Sequence, residues 1–218
     1  MYKITKKFIE AETGKNKSVP LIECKAIVLH VDLGTKRGTY QTIKDNQVSY
    51  NFYIPRENDT EILQYIPIHR GAWAQGLKRG TVSATSRARK IFGTTNPNKL
   101  ALSICYGGRG IDKKGKVVRF GWSSVVGGQD PTQSQIDRVK YLIKEELKLD
   151  VPILTHKEIR SCKPECVEVM KQGILNKEKP AREHFVASQD ILDIISSKQL
   201  LEELNKRDLK YELHINKR

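Results

Sequence analysis

Residues 25–31 read KAIVLHV, a short apolar run rich in β-branched side chains that ends on His30 and Val31. A run of this length, bounded by polar sequence, is a buried strand, because a helix needs ten residues or more to express its period. His30 then sits near the end of a strand. Residues 99–106 (KLALSICY) repeat the pattern, and residues 151–154 (VPIL) repeat it in shorter form before Thr155 and His156. Residues 48–54 (VSYNFYI) also have strand composition. The turn cluster PRENDT at 55–60 separates them from a partner strand at 61–66. Asp130, Pro131 and Thr132 open a helix reaching about residue 148, with Ile136, Val139, Leu142, Ile143 and Leu147 at helical spacing.

The connections fill in the rest. Residues 35–47 are a polar loop or a short helix. Residues 71–98, rich in Gly, Ser, Thr, Arg and Lys, read as a long surface loop with short helical pieces. Residues 107–116 (GGRGIDKKGK) are a glycine-rich turn. Its GGRG lacks the Gly-Lys-Ser/Thr ending of a phosphate-binding loop. The order predicts an α/β fold with a single mixed central β-sheet flanked by helices. Residues 1–20 form a lead-in with a strand within 2–8, residues 21–170 the main domain, and residues 171–218 a helical extension without a chemical motif.

Composition narrows the function. The chain has 218 residues, 38% hydrophobic and 7% aromatic, enough for a sizeable core. No apolar run approaches the length of a membrane span, and MYKITKKFIE lacks the apolar region of a secretory signal. Synthesis in a cytoplasm follows as the expectation. Net charge is +14, and residues 70–120 hold twelve Lys or Arg against one acid, Asp112. Such a field attracts polyanions: nucleic acid, anionic cell-wall polymers or an acidic membrane surface. Few aromatics are interleaved with these cations and no zinc-finger or helix-turn-helix pattern is present, which disfavours nucleic acid. Of four cysteines, Cys24 and Cys105 lie among apolar neighbours as core residues. Cys162 and Cys166 lie in the polar segment RSCKPEC. No disulfide framework is expected.

His30 and His156 share a setting, each closing a short apolar strand. Cys166 follows His156 by ten residues. Two imidazoles and a thiolate can hold one zinc and leave the fourth tetrahedral position open, the arrangement of a catalytic site.

The ordered set LHVDLGT (29–35), VSYNFYI (48–54), GAWAQG (71–76), LALSICYGGRGIDKKGK (100–116), DPTQSQIDRVKYLIKEEL (130–147) and THKEIRSCKPEC (155–166) resembles the type-2 N-acetylmuramoyl-L-alanine amidases. Within these it is similar to phage endolysins, relatives of the peptidoglycan recognition proteins. The resemblance covers roughly residues 20–170. It implies zinc bound by His30, His156 and Cys166, with Tyr50 and Lys163 catalytic and Gly107 and Gly108 following the central strand. His69 and Trp73 become substrate contacts. The implied reaction is zinc-dependent hydrolysis of the amide between N-acetylmuramic acid and L-alanine in bacterial peptidoglycan, by an endolysin acting as a monomer that causes host lysis.

The sequence departs from the family's pattern at several points. Val31 and Asp32 follow the first histidine, Asn51 stands where a histidine is usual, and Ala74 replaces the histidine of A-W-H-A-G. Cys162 competes with Cys166 as the thiolate ligand; the lysine shortly before Cys166 favours the latter. A peptidoglycan-binding relative without activity and a basic nucleic-acid-binding protein are the alternative readings.

Overall fold

Short buried strands gain their hydrogen bonds only by pairing, and in the computed structural model of the chain they pair into one main sheet. The structure describes residues 2–46, 48–75, 85–112, 114, 116–118, 125–160 and 168–175. In chain order the elements begin β1 (Lys3–Lys6), α1 (Ile9–Thr13), β2 (Ser18–Pro20), β3 (Ala26–Asp32), α2 (Lys36–Asp45), β4 (Phe52–Ile54), β5 (Glu61–Gln64), β6 (Arg70–Ala72) and α3 (Ser86–Phe92). They continue with β7 (Ala101–Gly107), β8 (Gly110–Asp112), β9 (Val117–Val118), β10 (Val125–Gly128), α4 (Gln133–Tyr141), β11 (Ile153–Thr155), α5 (His156–Ile159) and α6 (Glu168–Leu175). A π-helical turn at Leu142–Glu146 prolongs α4.

The main sheet has six strands in the order β1-β5-β4-β7-β3-β11. β3 runs parallel to both its neighbours, β7 and β11, and β4 and β5 form the antiparallel hairpin expected around PRENDT. One face carries Ile27, Leu29, Phe52, Ile104 and Tyr106 against Ile136 and Val139 of α4 and Met170 and Ile174 of α6. On the other face Ile43 of α2 and Ile9 of α1 pack against Tyr53, Leu63 and Cys105, while Ala88 and Phe92 of α3 pack on Val28, Ala101 and Leu154. Helices therefore flank both faces, as expected of the α/β fold.

Helix α4 is fixed at its start by a capping box between Thr132 and Gln135. The Gln135 amide also donates to the carbonyls of Ile54 (3.1 Å) and Gly107 (2.8 Å), tying the helix to the ends of β4 and β7. The fully buried Arg138 donates to the carbonyls of Pro55 (2.9 Å), Glu61 (2.8 Å) and Asn58, and so clamps the hairpin turn. Gly107 has no room for a side chain, since a methyl group there would lie 2.5 Å from the Tyr53 hydroxyl.

Three expectations change in detail. The strand expected over 48–54 holds only Phe52–Ile54, because Asn51 pairs with β7 through its side chain. Its N–H donates to Ser103 O (3.0 Å) and its Oδ1 accepts from the Ser103 N–H (3.0 Å). Residues 71–98, expected as a loop with short helical pieces, also contribute to β6, which pairs antiparallel with β2 of the lead-in. The seven-residue α3, capped by the Thr85 hydroxyl, is one of those helical pieces. The glycine-rich turn contains β8, which joins β9 and β10 in a separate small sheet. The strand expected within 2–8 is β1, paired with β5.

Candidate active site

Register brings the two histidines together. Leu29 of β3 lies opposite Thr155 of β11 in parallel pairing. His30 and His156 each come one residue later, at the carboxyl edge of the sheet on the face opposite α4. His30 is buried on the rigid strand β3, flanked by Cys105 of β7. His156 opens the single-turn helix α5 directly after its strand. Their rings are 4.4 Å apart between centroids, and the two Nδ1 atoms face each other at 3.1 Å.

Two imidazole nitrogens at that distance either share a proton or share a cation. Ligands of one tetrahedral zinc, each about 2.0–2.1 Å from the metal, lie about 3.3 Å from each other. The observed separation fits both atoms as donors to the same ion. The tautomer fits as well. His156 Nε2 lies 3.1 Å from the backbone carbonyl of Gln75, to which only an N–H can donate, so the Nδ1 lone pair of neutral His156 faces His30. Gln75 is itself fully buried and held by two hydrogen bonds, its N–H to Asn98 Oδ1 (3.2 Å) and its side-chain amide to Ser103 Oγ (3.1 Å).

Tyr50 completes the described cluster. Its ring lies 5.3 Å from that of His30. The residue as a whole is half-buried, but its hydroxyl end is withdrawn from water. Burial holds the hydroxyl well above the ordinary tyrosine range, and nearby Cys105 and Asp32 act in the same direction. Tyr50 is thus a neutral hydrogen-bond donor at neutral pH. Asp32 lies two residues beyond His30. Its carboxylate accepts from the Thr39 hydroxyl and from the Gly34 N–H (3.1 Å), and Thr39 Oγ1 is 3.2 Å from the Tyr53 hydroxyl. Burial raises the Asp32 carboxyl, with the Thr39 and backbone hydrogen bonds opposing it.

The remaining expected residues fall in different places. Trp73 is 40% exposed, and its N–H donates to Ser49 Oγ (2.8 Å), one residue before Tyr50. His69 is exposed on the turn before β6; among the described residues no hydrogen bond or ring contact joins its side chain to the histidine pair. Lys163, Cys166 and Cys162 lie in 161–167, outside the described residues. Among the described residues no group of three or more His, Cys, Asp or Glu is placed to hold a metal; the described donors are the two histidines.

Three residues of the site went unread in the sequence. Gln75 acts through a backbone carbonyl, which no side-chain pattern reveals. Asp32 stands out in the sequence only as a departure from the family's pattern. Glu158 forms a capping box with Thr155, and for it the signal was present: THKE has the S/T-x-x-E spacing of a helix start.

The profile of the N-acetylmuramoyl-L-alanine amidase family matches residues 21–166, two-thirds of the chain. The chain belongs to that family. The match spans the histidine pair, Tyr50 and the cysteine segment, and it places the chain among the peptidoglycan amidases. Solved structures similar to this amidase include the catalytic domain of XlyA, with 16% identity over 79% of this chain and 99% of that one (TM-score 0.48). A mutant endolysin from Bacillus subtilis shares 18% identity over 80% of this chain and 99% of that one (TM-score 0.48). AmpDh3 from Pseudomonas aeruginosa, in complex with anhydromuramic pentapeptide, shares 16% over 89% of this chain and 77% of that one (TM-score 0.48). Comparison with curated proteins finds no match.

Proposed function

We propose that this amidase is zinc-dependent, that it cleaves the bond between the lactyl group of N-acetylmuramic acid and L-alanine, and that it serves as a phage endolysin. The observation that carries the zinc reading is the pair of Nδ1 atoms at 3.1 Å, with the His156 tautomer set by the Gln75 carbonyl. His30 and His156 would hold the ion, with a thiolate from Cys166 as third ligand and Cys162 as its competitor. When bound, zinc supplies a Lewis acid and lowers the pKa of a bound water towards about 7.

The chain's own groups do the rest. Hydrolysis of an amide places growing negative charge on the carbonyl oxygen. Tyr50, kept protonated by its surroundings, donates a hydrogen bond to that oxygen. Lys163 would bring an ammonium to the same charge. The Gln75 carbonyl keeps the proton of His156 on Nε2, so the ring cannot turn its N–H towards the reacting centre. Trp73, exposed beside Ser49 and Tyr50, offers an apolar face to a sugar ring.

The exposed cations Arg87, Arg89 and Lys90 of α3 support a role in concentrating the enzyme on an anionic wall. The main domain is read as residues 21–170, preceded by the lead-in and followed by an extension of unassigned role. No helix among the described residues is long and apolar enough to cross a membrane.

The test is zinc content of protein purified without added metal, with cell-wall digestion measured before and after chelation. About one zinc per chain is expected, with digestion lost on chelation and restored by zinc. Digestion indifferent to a chelator that strips the protein refutes the zinc reading. Purified peptidoglycan left intact by fully loaded protein refutes the hydrolase reading and favours a binding-only relative.

A further inference from the structure

The single-turn helix α5 that carries His156 is four residues long. A helix of one turn has no stability of its own, since nucleation costs more than a few hydrogen bonds return. Contacts outside it must hold His156 in place, and Glu158 makes several of them. Its Oε2 accepts from the Thr155 N–H (2.7 Å), and its own N–H donates to Thr155 Oγ1 (3.3 Å), closing the capping box that makes His156 the first helical residue. The same Oε2 takes an ion pair from Lys171 of α6 at 2.7 Å, whose side chain is only 8% exposed. Oε1 lies 3.7 Å from Arg87 of α3, and the Glu158 carbonyl accepts from the Thr85 hydroxyl at 3.1 Å. One residue thus ties α3 and α6 to the turn that bears the histidine.

We propose that Glu158, through its capping box with Thr155, is a positioning residue for the metal-binding imidazole of His156. Without the box the start of α5 loses its N-terminal anchor, and the backbone that carries the imidazole is no longer fixed at that point. Lys171 pairs with the same carboxylate oxygen that caps the helix. Because Lys171 is nearly buried, its charge also needs that carboxylate. The two helices so joined bracket residues 160–167, the stretch of sequence that contains Cys162, Lys163 and Cys166. This proposal rests on the zinc reading above.

The test uses the full chain, stripped of metal and titrated with zinc against a chelator of known affinity, alongside thermal unfolding of the metal-free protein. Glu158→Ala removes both the box and the ion pair. Zinc affinity should fall by about 10–100-fold, the range for loss of an outer partner of a metal ligand, and kcat should fall with KM little changed. Glu158→Gln combined with Lys171→Met keeps an oxygen for the Thr155 N–H and removes the buried charge. It should recover zinc affinity to within about 3-fold of wild type, which also serves if Glu158→Ala fails to fold. Zinc affinity and kcat equal to wild type in folded Glu158→Ala, even with a lowered melting temperature, overturn the proposal and leave Glu158 a purely structural residue. A double variant that folds but binds zinc as weakly as Glu158→Ala, or 10-fold or more below wild type where Glu158→Ala does not fold, overturns it as well. A wild type that binds no zinc overturns the zinc reading itself, and this proposal with it.

Discussion

Replacing His156 by alanine removes one of the two described donors while leaving the sheet that positions the other. Two effects separate. In metal-free protein the Gln75 carbonyl, buried and facing His156 Nε2 at 3.1 Å, loses its donor. A stranded buried acceptor costs about 1–3 kcal/mol. For a chain of this size each kcal/mol moves the melting temperature by about 2–4 °C, so a fall of several degrees is expected. The second effect is specific to the metal. A ligand at one hundred times its dissociation constant stabilises the native state by about 2.7 kcal/mol, which corresponds to a rise of about 5–10 °C. Wild type should show that rise on adding zinc, and His156→Ala should show almost none. Differential scanning fluorimetry with and without zinc reads both effects on one sample, and wall digestion by the same preparations reads catalysis. A variant that keeps the full zinc-dependent rise, or digests walls at the wild-type rate, refutes the assignment of His156 to the metal.

Tyr50→Phe should keep zinc and the ring contact with His30 but lower kcat by about 10²–10³, the usual cost of one oxyanion donor; turnover near wild type removes Tyr50 from the reaction. Cys166→Ser should weaken zinc strongly and abolish digestion while Cys162→Ser spares both, and the reverse pattern moves the thiolate to Cys162. Tyr65→Phe tests a different part of the molecule, because the buried Tyr65 hydroxyl has no hydrogen-bond partner among the described residues; the substitution should leave stability equal or slightly higher at neutral pH. Burial raises the Tyr65 phenol above its ordinary value, so its native form holds its proton more tightly than the unfolded chain does. That contribution is constant below about pH 10 and is lost as pH rises further, and the variant should show a shallower alkaline loss of stability in urea titrations. An unchanged alkaline slope shows that Tyr65 titrates alike in both states.

What the sequence made legible were features that repeat a period or fill a layer. KAIVLHV and KLALSICY are buried on both faces and become the adjacent parallel strands β3 and β7. The 3.6-residue spacing from Ile136 to Ile143 becomes the face of α4 and its π-helical turn against the sheet. The histidines could be paired because each closes such a strand. Less legible was anything that depends on a group other than a patterned side chain. Asn51 ends a strand early by substituting its amide for the backbone ladder, although its flanks read as strand. β6 is three residues including a glycine, too short to express an alternation, and is defined by its partner β2. Cys105 reads as core, and it is fully buried, yet its register beside His30 also makes it a neighbour of the Tyr50 hydroxyl.

The two histidines depend on their scaffold in unequal ways. His30 belongs to a seven-residue strand hydrogen-bonded along its length to β7 and over part of it to β11. Moving it requires moving the centre of the sheet. His156 stands one residue past a three-residue edge strand, on a turn held by Thr155, Glu158 and the Gln75 carbonyl. Each hydrogen bond among those contacts is worth about 0.5–1.5 kcal/mol net and somewhat more where the carboxylate takes part. Variation in this chain that tunes metal affinity without unfolding the domain should therefore act on the His156 side. Substitutions on the His30 side should act first on stability. The asymmetry also explains why so many polar side chains gather around β11 and α5 while β3 is held by apolar packing and backbone pairing. A rigid strand needs only its neighbours, whereas a four-residue turn must be fixed atom by atom.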